Sequence, residues 1–388
     1  MSATVGLENK VDTGLPKRNL PLLTSARFFA ASAVLLYHYF DLGGDDDSHI
    51  RSHAVDPTAR PVRRLLQATM PFLKDGNLAV EFFFVLSGFV LTHVYFTRYA
   101  EGRFDYVDFI RRRVARIYPL HLLMLVAFVA VGLVLSRLGT RSALFDVATI
   151  PNHLLLIHAW GFQDVGTYNN VSWSISAEWA AYLTFPIFLW LAARQGIVAM
   201  LVGTILLAIG LVVGFDGTQG LTHRTVDFGA VRIFATFPLG VASWLVFRRL
   251  VDRPPPPALG YLTTLLPVVA FVVGSVAGLP QGGLLFAMPP MVLGLALLDQ
   301  SDRLRIFARP AWVYLGEISY GLYMVHMFVF RFPLVAGERV EGLAKPWIYD
   351  TLMLLAAAAS LLAAHLTFRH VEQPLGRRIN RIGRGTTV

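Results

Sequence analysis

The chain has 388 residues, 55% of them hydrophobic and only 15% charged, with a mean hydropathy of +0.55. A soluble protein of this size carries about 25% charged residues, so the composition excludes a soluble globular fold and predicts a polytopic membrane protein. The net charge of +9 does not read as nucleic-acid binding, because the basic residues gather at the ends of apolar runs, and the absence of cysteine excludes disulfides and a cysteine acyl-enzyme.

The first 20 residues are polar and predict a short tail without a cleavable leader. Ten apolar runs follow, near 21–41, 77–97, 118–136, 175–193, 197–215, 229–247, 259–277, 281–299, 311–333 and 346–368. Each is long enough for a bilayer core of about 30 Å, which a helix crosses in about 20 residues. The stretch from Ile150 to Trp160 begins with Pro151 and is too short to span. The expected fold is therefore all-α: a transmembrane bundle of about ten spanning helices plus one short re-entrant or interfacial helix. Residues 21–371 would form the membrane domain, with tails 1–20 and 372–388. The Lys and Arg bias of alternate loops predicts that both termini are cytoplasmic, in a cell (inner) membrane. Pro254 to Pro257 would form a stiff linker on the same side.

Ionisable residues inside spans are costly and point to function. In the first span, Arg27 and His38 are eleven residues apart. Eleven helical steps return to within about 20° of one face, about 16 Å further along the axis. Taken alone, Arg27 could snorkel to headgroups and His38 could be a hydrogen-bonded core histidine. The run RRRVARIYPLH (111–121) opens the third span. It serves as an orientation signal, or else Arg113 and Arg116, three apart, clamp the phosphates of an anionic cofactor. The segment NNVSWSISAEWAAY (169–182) opens the fourth span. Ser172 or Ser174 would cap the helix and Trp173 and Trp179 would sit in the aromatic belt. Counted from that start, Glu178 falls at the depth of His38, where a carboxylate can fix an imidazole's tautomer. His326 is the intramembrane histidine of the ninth span. Two further patterns, HRTVD (223–227) and GGDDDSHIRSH (43–53), read as solvated loops rather than an HxxxD motif and a metal site.

Taken together these residues resemble the acyltransferase-3 family of membrane O-acyltransferases. The resemblance rests on RFFAASAVLLYH (27–38), VEFFFVLSGFVLT (80–92), RRRVARIYP (111–119), VSWSISAEW (171–179), ISYGLYMVH (318–326) and VEQP (371–374), in that order along nearly the whole chain. It implies transfer of an acyl group, usually acetyl, from cytoplasmic acyl-CoA to a carbohydrate or glycoside hydroxyl, without a metal. His38 would be catalytic, as base or as transient acyl carrier, with Arg27 and Glu178 assisting. Arg113 and Arg116, with Arg112 and Tyr118, would hold acyl-CoA. Trp173, Ser174, Tyr323 and His326 would face the acceptor. The resemblance implies the stand-alone form, without the extra periplasmic domain that some relatives carry. A transporter or flippase of a lipid-linked sugar or acyl group is the competing class, and the lack of an internal repeat argues against it.

Overall fold

The computed structural model describes residues 19–41, 56–137, 139, 143–216, 220–252 and 255–382. The acidic stretch 43–53, Arg253 and Pro254 lie outside them. In chain order the α-helices are α1 (Pro21–Asp41), α2 (Pro61–Thr69), α3 (Ala79–Ala100), α4 (Tyr106–Arg137), α5 (Ile150–Leu154), α6 (Trp173–Arg194), α7 (Ile197–Asp216), α8 (Gly229–Val251), α9 (Pro257–Val276), α10 (Gln281–Leu284), α11 (Met288–Gln300), α12 (Pro310–Glu317), α13 (Ser319–Arg339), α14 (Pro346–Thr367) and α15 (Gln373–Ile382). A 3₁₀ stretch, Pro71–Leu78, leads into α3, and a π-helical turn, Phe368–Glu372, joins α14 to α15.

Eight helices among the described residues are long and apolar enough to cross a membrane, and α12 with α13, bent by 54°, makes a ninth. The tenth predicted run is α1, as long as the others but interrupted by Arg27, Tyr37, His38 and Tyr39. It takes its place through packing, against α12, α13, α3 and α11. The protein is an all-α, multi-pass helix bundle. The short element expected at 150–160 is α5, five residues long, followed by turns; it does not span.

Contacts at both ends fix α1. Its first-turn amides have no partner within the helix and, being buried, need acceptors; Asp299, in the last turn of α11, takes Leu22 N–H at 3.0 Å and Leu23 N–H at 3.4 Å. Close approach does the rest: a Cβ at Gly316 of α12 would overlap the carbonyl oxygen of Thr24. At its other end Tyr39 donates to Asp350 of α14 at 2.6 Å. Asp350 also accepts Arg60 Nε at 2.8 Å in a fully buried ion pair, which ties the start of α2 across that end of α1.

The same small-residue device sets α3 against α8. A Cβ at Gly88 would strike the carbonyl oxygen of Phe237, and one at Gly240 that of Val85, so the glycine of the SGF motif is a crossing point. Beside it Arg232 of α8 donates two bonds to Glu81 of α3, at 2.9 and 2.7 Å, and Thr236 donates to the other carboxylate oxygen at 3.0 Å.

Candidate active site

One cavity of about 670 Å³ runs through the bundle from the end where α1 begins. Arg27 and Thr24 enter it from α1, Ser87 and His93 from α3, and Arg113 and Arg116 from α4. Three residues spaced four apart on α6, Ser174, Glu178 and Tyr182, form a polar stripe down one wall, as helical periodicity dictates. Phe83, Ser174 and Tyr323 line its far end.

The charges in this cavity are unequally satisfied. Arg116 pairs with Glu372 at 3.2 Å and lies over the Tyr320 ring. Glu178 accepts Ser87 Oγ at 2.8 Å. Arg27 lies within coulombic range of Arg116, Glu178 and Glu372. Arg113 rests against the Phe109 and Tyr182 rings, and its buried Nε has no hydrogen-bond partner. A guanidinium with an unused buried donor, facing a hollow beside two other arginines, suits an anionic ligand such as a diphosphate.

His38 and His326 do not line this cavity. They meet in the next layer, beyond Tyr323, whose ring is 6.0 Å from that of His326. His326 Nε2 and His38 Nδ1 are 3.3 Å apart. Backbone carbonyls settle the protons. Val34 O lies 2.9 Å from His38 Nδ1, and Tyr323 O lies 2.6 Å from His326 Nδ1. A carbonyl only accepts, so both Nδ1 atoms carry hydrogen and both neutral rings have their lone pair on Nε2. His326 Nε2 therefore accepts from His38 Nδ1–H, which it shares with Val34 O. The Nε2 lone pair of His38 is left for chemistry.

The depth expected of Glu178 is corrected here. Glu178 accepts from Ser87, while the His38 ring meets His326 and Val34 O. The count from the helix start assumed that α6 begins at the bundle's surface. It begins inside: Asn169, Val171, Ser172 and Trp173 are all buried, and Asn169 donates to Met324 O of α13 at 2.9 Å. Glu178 is accordingly set deeper, with the arginines. Ser172 holds the N-cap position of α6, but no serine side chain caps the helix. Ser172 Oγ meets His158 Nε2 at 3.0 Å, while Ser174 Oγ donates to Tyr323 Oη at 2.8 Å.

A profile of the acyltransferase domain family matches residues 22–371. The chain belongs to the acyltransferase-3 family. Among curated relatives of this acyltransferase, the acyltransferase MdmB of Streptomyces mycarofaciens is 30% identical, the alignment covering 93% of each chain. The peptidoglycan O-acetyltransferase OatA of Listeria monocytogenes is 26% identical over 78% of this chain, which spans only 51% of that protein. No solved structure matches the chain.

Within this acyltransferase the cavity gathers Arg27, Arg113, Arg116, Glu178, Ser174 and Tyr323, and leaves out Arg112, Tyr118, Trp173, His38 and His326. Helix geometry explains the first three omissions. Arg113 and Arg116 are about 60° apart around α4, whereas Arg112 and Tyr118 are about 100° and 140° from Arg113. Arg112 turns to Asp108 at 2.6 Å, and Tyr118 donates to Leu154 O at 3.1 Å. Trp173, one step from Ser174, lies buried under the Arg232 guanidinium, 4.4 Å from its ring centre.

Several polar residues at these sites escaped the sequence reading. His93 and Tyr182 line the cavity, and Glu372, within the quoted VEQP motif, is the carboxylate that holds Arg116. Three buried histidines, His121, His153 and His158, stack beside the 150–172 segment, the last two with ring centres 4.1 Å apart. Among the described residues no group of three or more His, Asp or Glu side chains has a geometry that could hold a metal ion.

Proposed function

We propose that this acyltransferase moves a short acyl group, acetyl by preference, from cytoplasmic acyl-CoA to a hydroxyl of a carbohydrate or glycosylated acceptor at the other face of an inner membrane. The observation that carries this reading is the arginine-lined cavity whose far end abuts the layer holding a histidine with a bare Nε2. A cavity that opens at one bundle end suits a donor whose anionic part stays near the mouth while its arm runs inward. Arg113 and Arg116, with Arg27 deeper, would bind the phosphates and direct the arm along the Ser174–Glu178–Tyr182 stripe.

The reaction forms a C–O bond and breaks the C–S bond of a thioester. An alcohol is a weak nucleophile, and a general base within hydrogen-bond reach contributes about 10²–10⁴-fold. His38 Nε2 takes the hydroxyl proton as the oxygen attacks, and the departing thiolate recovers a proton to leave as free thiol. The same lone pair would be the nucleophile if the acyl group passed through His38. Tyr323 and Ser174, bonded to each other at the end of the cavity, must give way for the thioester to reach this layer. The alcohol would arrive from the opposite side.

The test is product formation. Proteoliposomes loaded with ¹³C-acetyl-CoA are offered a panel of glycosides, and the glycosides are analysed by mass spectrometry. The proposal expects a mass increase of one labelled acetyl on at least one hydroxyl-bearing glycoside. Label recovered only as acetate, or translocation of a lipid-linked sugar without acylation, contradicts it.

A further inference from the structure

We infer that His326 is a positioning residue for His38: a neutral, buried imidazole that holds the His38 ring by accepting its Nδ1–H and so presents Nε2 for the reaction. This rests on the reading of His38 as the reacting histidine, and it assigns His326 a different task from the acceptor contact implied by its motif.

His326 is fully buried and is not among the residues lining the arginine-bearing cavity, so an acceptor in that cavity does not reach it without repacking. Its surroundings are a backbone carbonyl and rings. Tyr323 O takes its Nδ1–H at 2.6 Å, and Tyr323 and Phe330 lie with ring centres 6.0 and 5.9 Å away. The bend between α12 and α13, 54° at Ile318, lies two turns before it, and α13 continues from there to pack on α1.

The order of hydrogen bonds is directional. His38 Nδ1–H donates to His326 Nε2, and His326 Nδ1–H donates to the Tyr323 carbonyl. A peptide carbonyl does not take up a proton under these conditions, so the chain ends there and His326 cannot relay a proton away. What it can do is fix the ring plane of His38 and strengthen its Nδ1–H bond as Nε2 gains a proton or an acyl group. A hydrogen bond to an ionised group is about twice as strong as one between neutral groups. The gain therefore appears in the transition state rather than in substrate binding, and belongs in kcat. Val34 O, at 2.9 Å, is the second acceptor and limits how far the ring moves when His326 is lost.

The experiment compares His326→Leu and His326→Gln with wild type in the full chain. Gln places a carbonyl oxygen where Nε2 stood; Leu removes the acceptor and keeps the volume apolar. The first readout is thiol release from acetyl-CoA with whichever glycoside the wild type acylates. Leu lowers kcat by roughly ten- to a hundredfold with KM for both substrates unchanged, and Gln restores most of it. The second readout needs no turnover: diethyl pyrocarbonate acylates bare imidazole nitrogens, and peptide mass spectrometry gives the rate at His38. Leu slows that rate several-fold and Gln brings it back. An unchanged His38 labelling rate in His326→Leu overturns the inference. So does a raised acceptor KM with kcat intact, which would make His326 an acceptor contact. If the wild type shows no acyl transfer yet the labelling rate at His38 still follows residue 326, the positioning holds and the proposed reaction fails.

Discussion

Arg232, fully buried, and Arg113, half-buried against a cavity, are arginines of one bundle treated in opposite ways. Arg232 spends Nε and one terminal nitrogen on Glu81, gives another to Arg224 O at 3.0 Å, and stacks on Trp173. Arg113 has two ring faces beside it, a cavity in front, and an Nε without a partner. Buried charge is costly unless paired, so the first arrangement is scaffold. An unpaired guanidinium beside a hollow is the arrangement that an anionic ligand would complete. What separates the two arginines chemically is how far their donors are satisfied.

The sharpest way to break that comparison is to exchange the consequences. Glu81→Gln leaves Arg232 buried without its anion, which typically costs about 3–5 kcal/mol. The variant should lose most of its monodisperse, folded yield and melt well below wild type. Arg113→Gln should leave melting unchanged and weaken acetyl-CoA binding about tenfold by calorimetry, the worth of one charged hydrogen bond. Arg116→Gln should lower the melting temperature as well as weaken acetyl-CoA binding, since it also removes the ion-pair partner of Glu372, only 5% exposed. If Arg113→Gln melts like Glu81→Gln and binds acetyl-CoA normally, the distinction fails.

The histidine stack gives a smaller effect with a defined sign. Burial first, and the neighbouring imidazole of His121 second, push His153 down to about 3; burial, then His153 and His121, hold His158 well below the usual value near 6.5. Above 6.5 neither state binds these protons. As pH falls from 6.5 towards about 3, the unfolded chain takes protons that the fold refuses, so stability drops, by up to about 1.4 kcal/mol per unit for each histidine. Melting followed from pH 7 to pH 5 should fall, and His153→Gln should flatten the slope. Smallest of all is Tyr118→Phe. It removes one hydrogen bond to Leu154 O, worth about 1 kcal/mol, and should leave acetyl-CoA affinity untouched.

Much of the bundle was legible because hydropathy is local: ten runs were read, nine have apolar spanning composition with α12 and α13 taken together, and the tenth is α1, an apolar helix that carries Arg27 and His38. The short Ile150–Trp160 element was legible from its length alone. In the candidate site, Arg113 and Arg116 followed from helical spacing within one segment, Arg27 and Glu178 from being charges inside spans, and Ser174 from the motif it shares with Glu178. What could not be read was depth between segments. The sequence does not say that α6 starts below the surface, so Glu178 was set beside His38 when it belongs with the arginines. Nor can spacing pair His38 with His326, 288 positions away. The pairing depends on α13 bending at its start, and only the packed structure supplies that.

The central claim is that His38 does the chemistry while the cavity below it binds the donor, so the two should separate in one variant. In purified His38→Ala, thiol release from acetyl-CoA in the presence of an acylated glycoside and the calorimetric dissociation constant for acetyl-CoA are measured together. The account predicts that turnover falls to background while the dissociation constant stays within about twofold of wild type. Turnover near the wild-type rate in His38→Ala would contradict it.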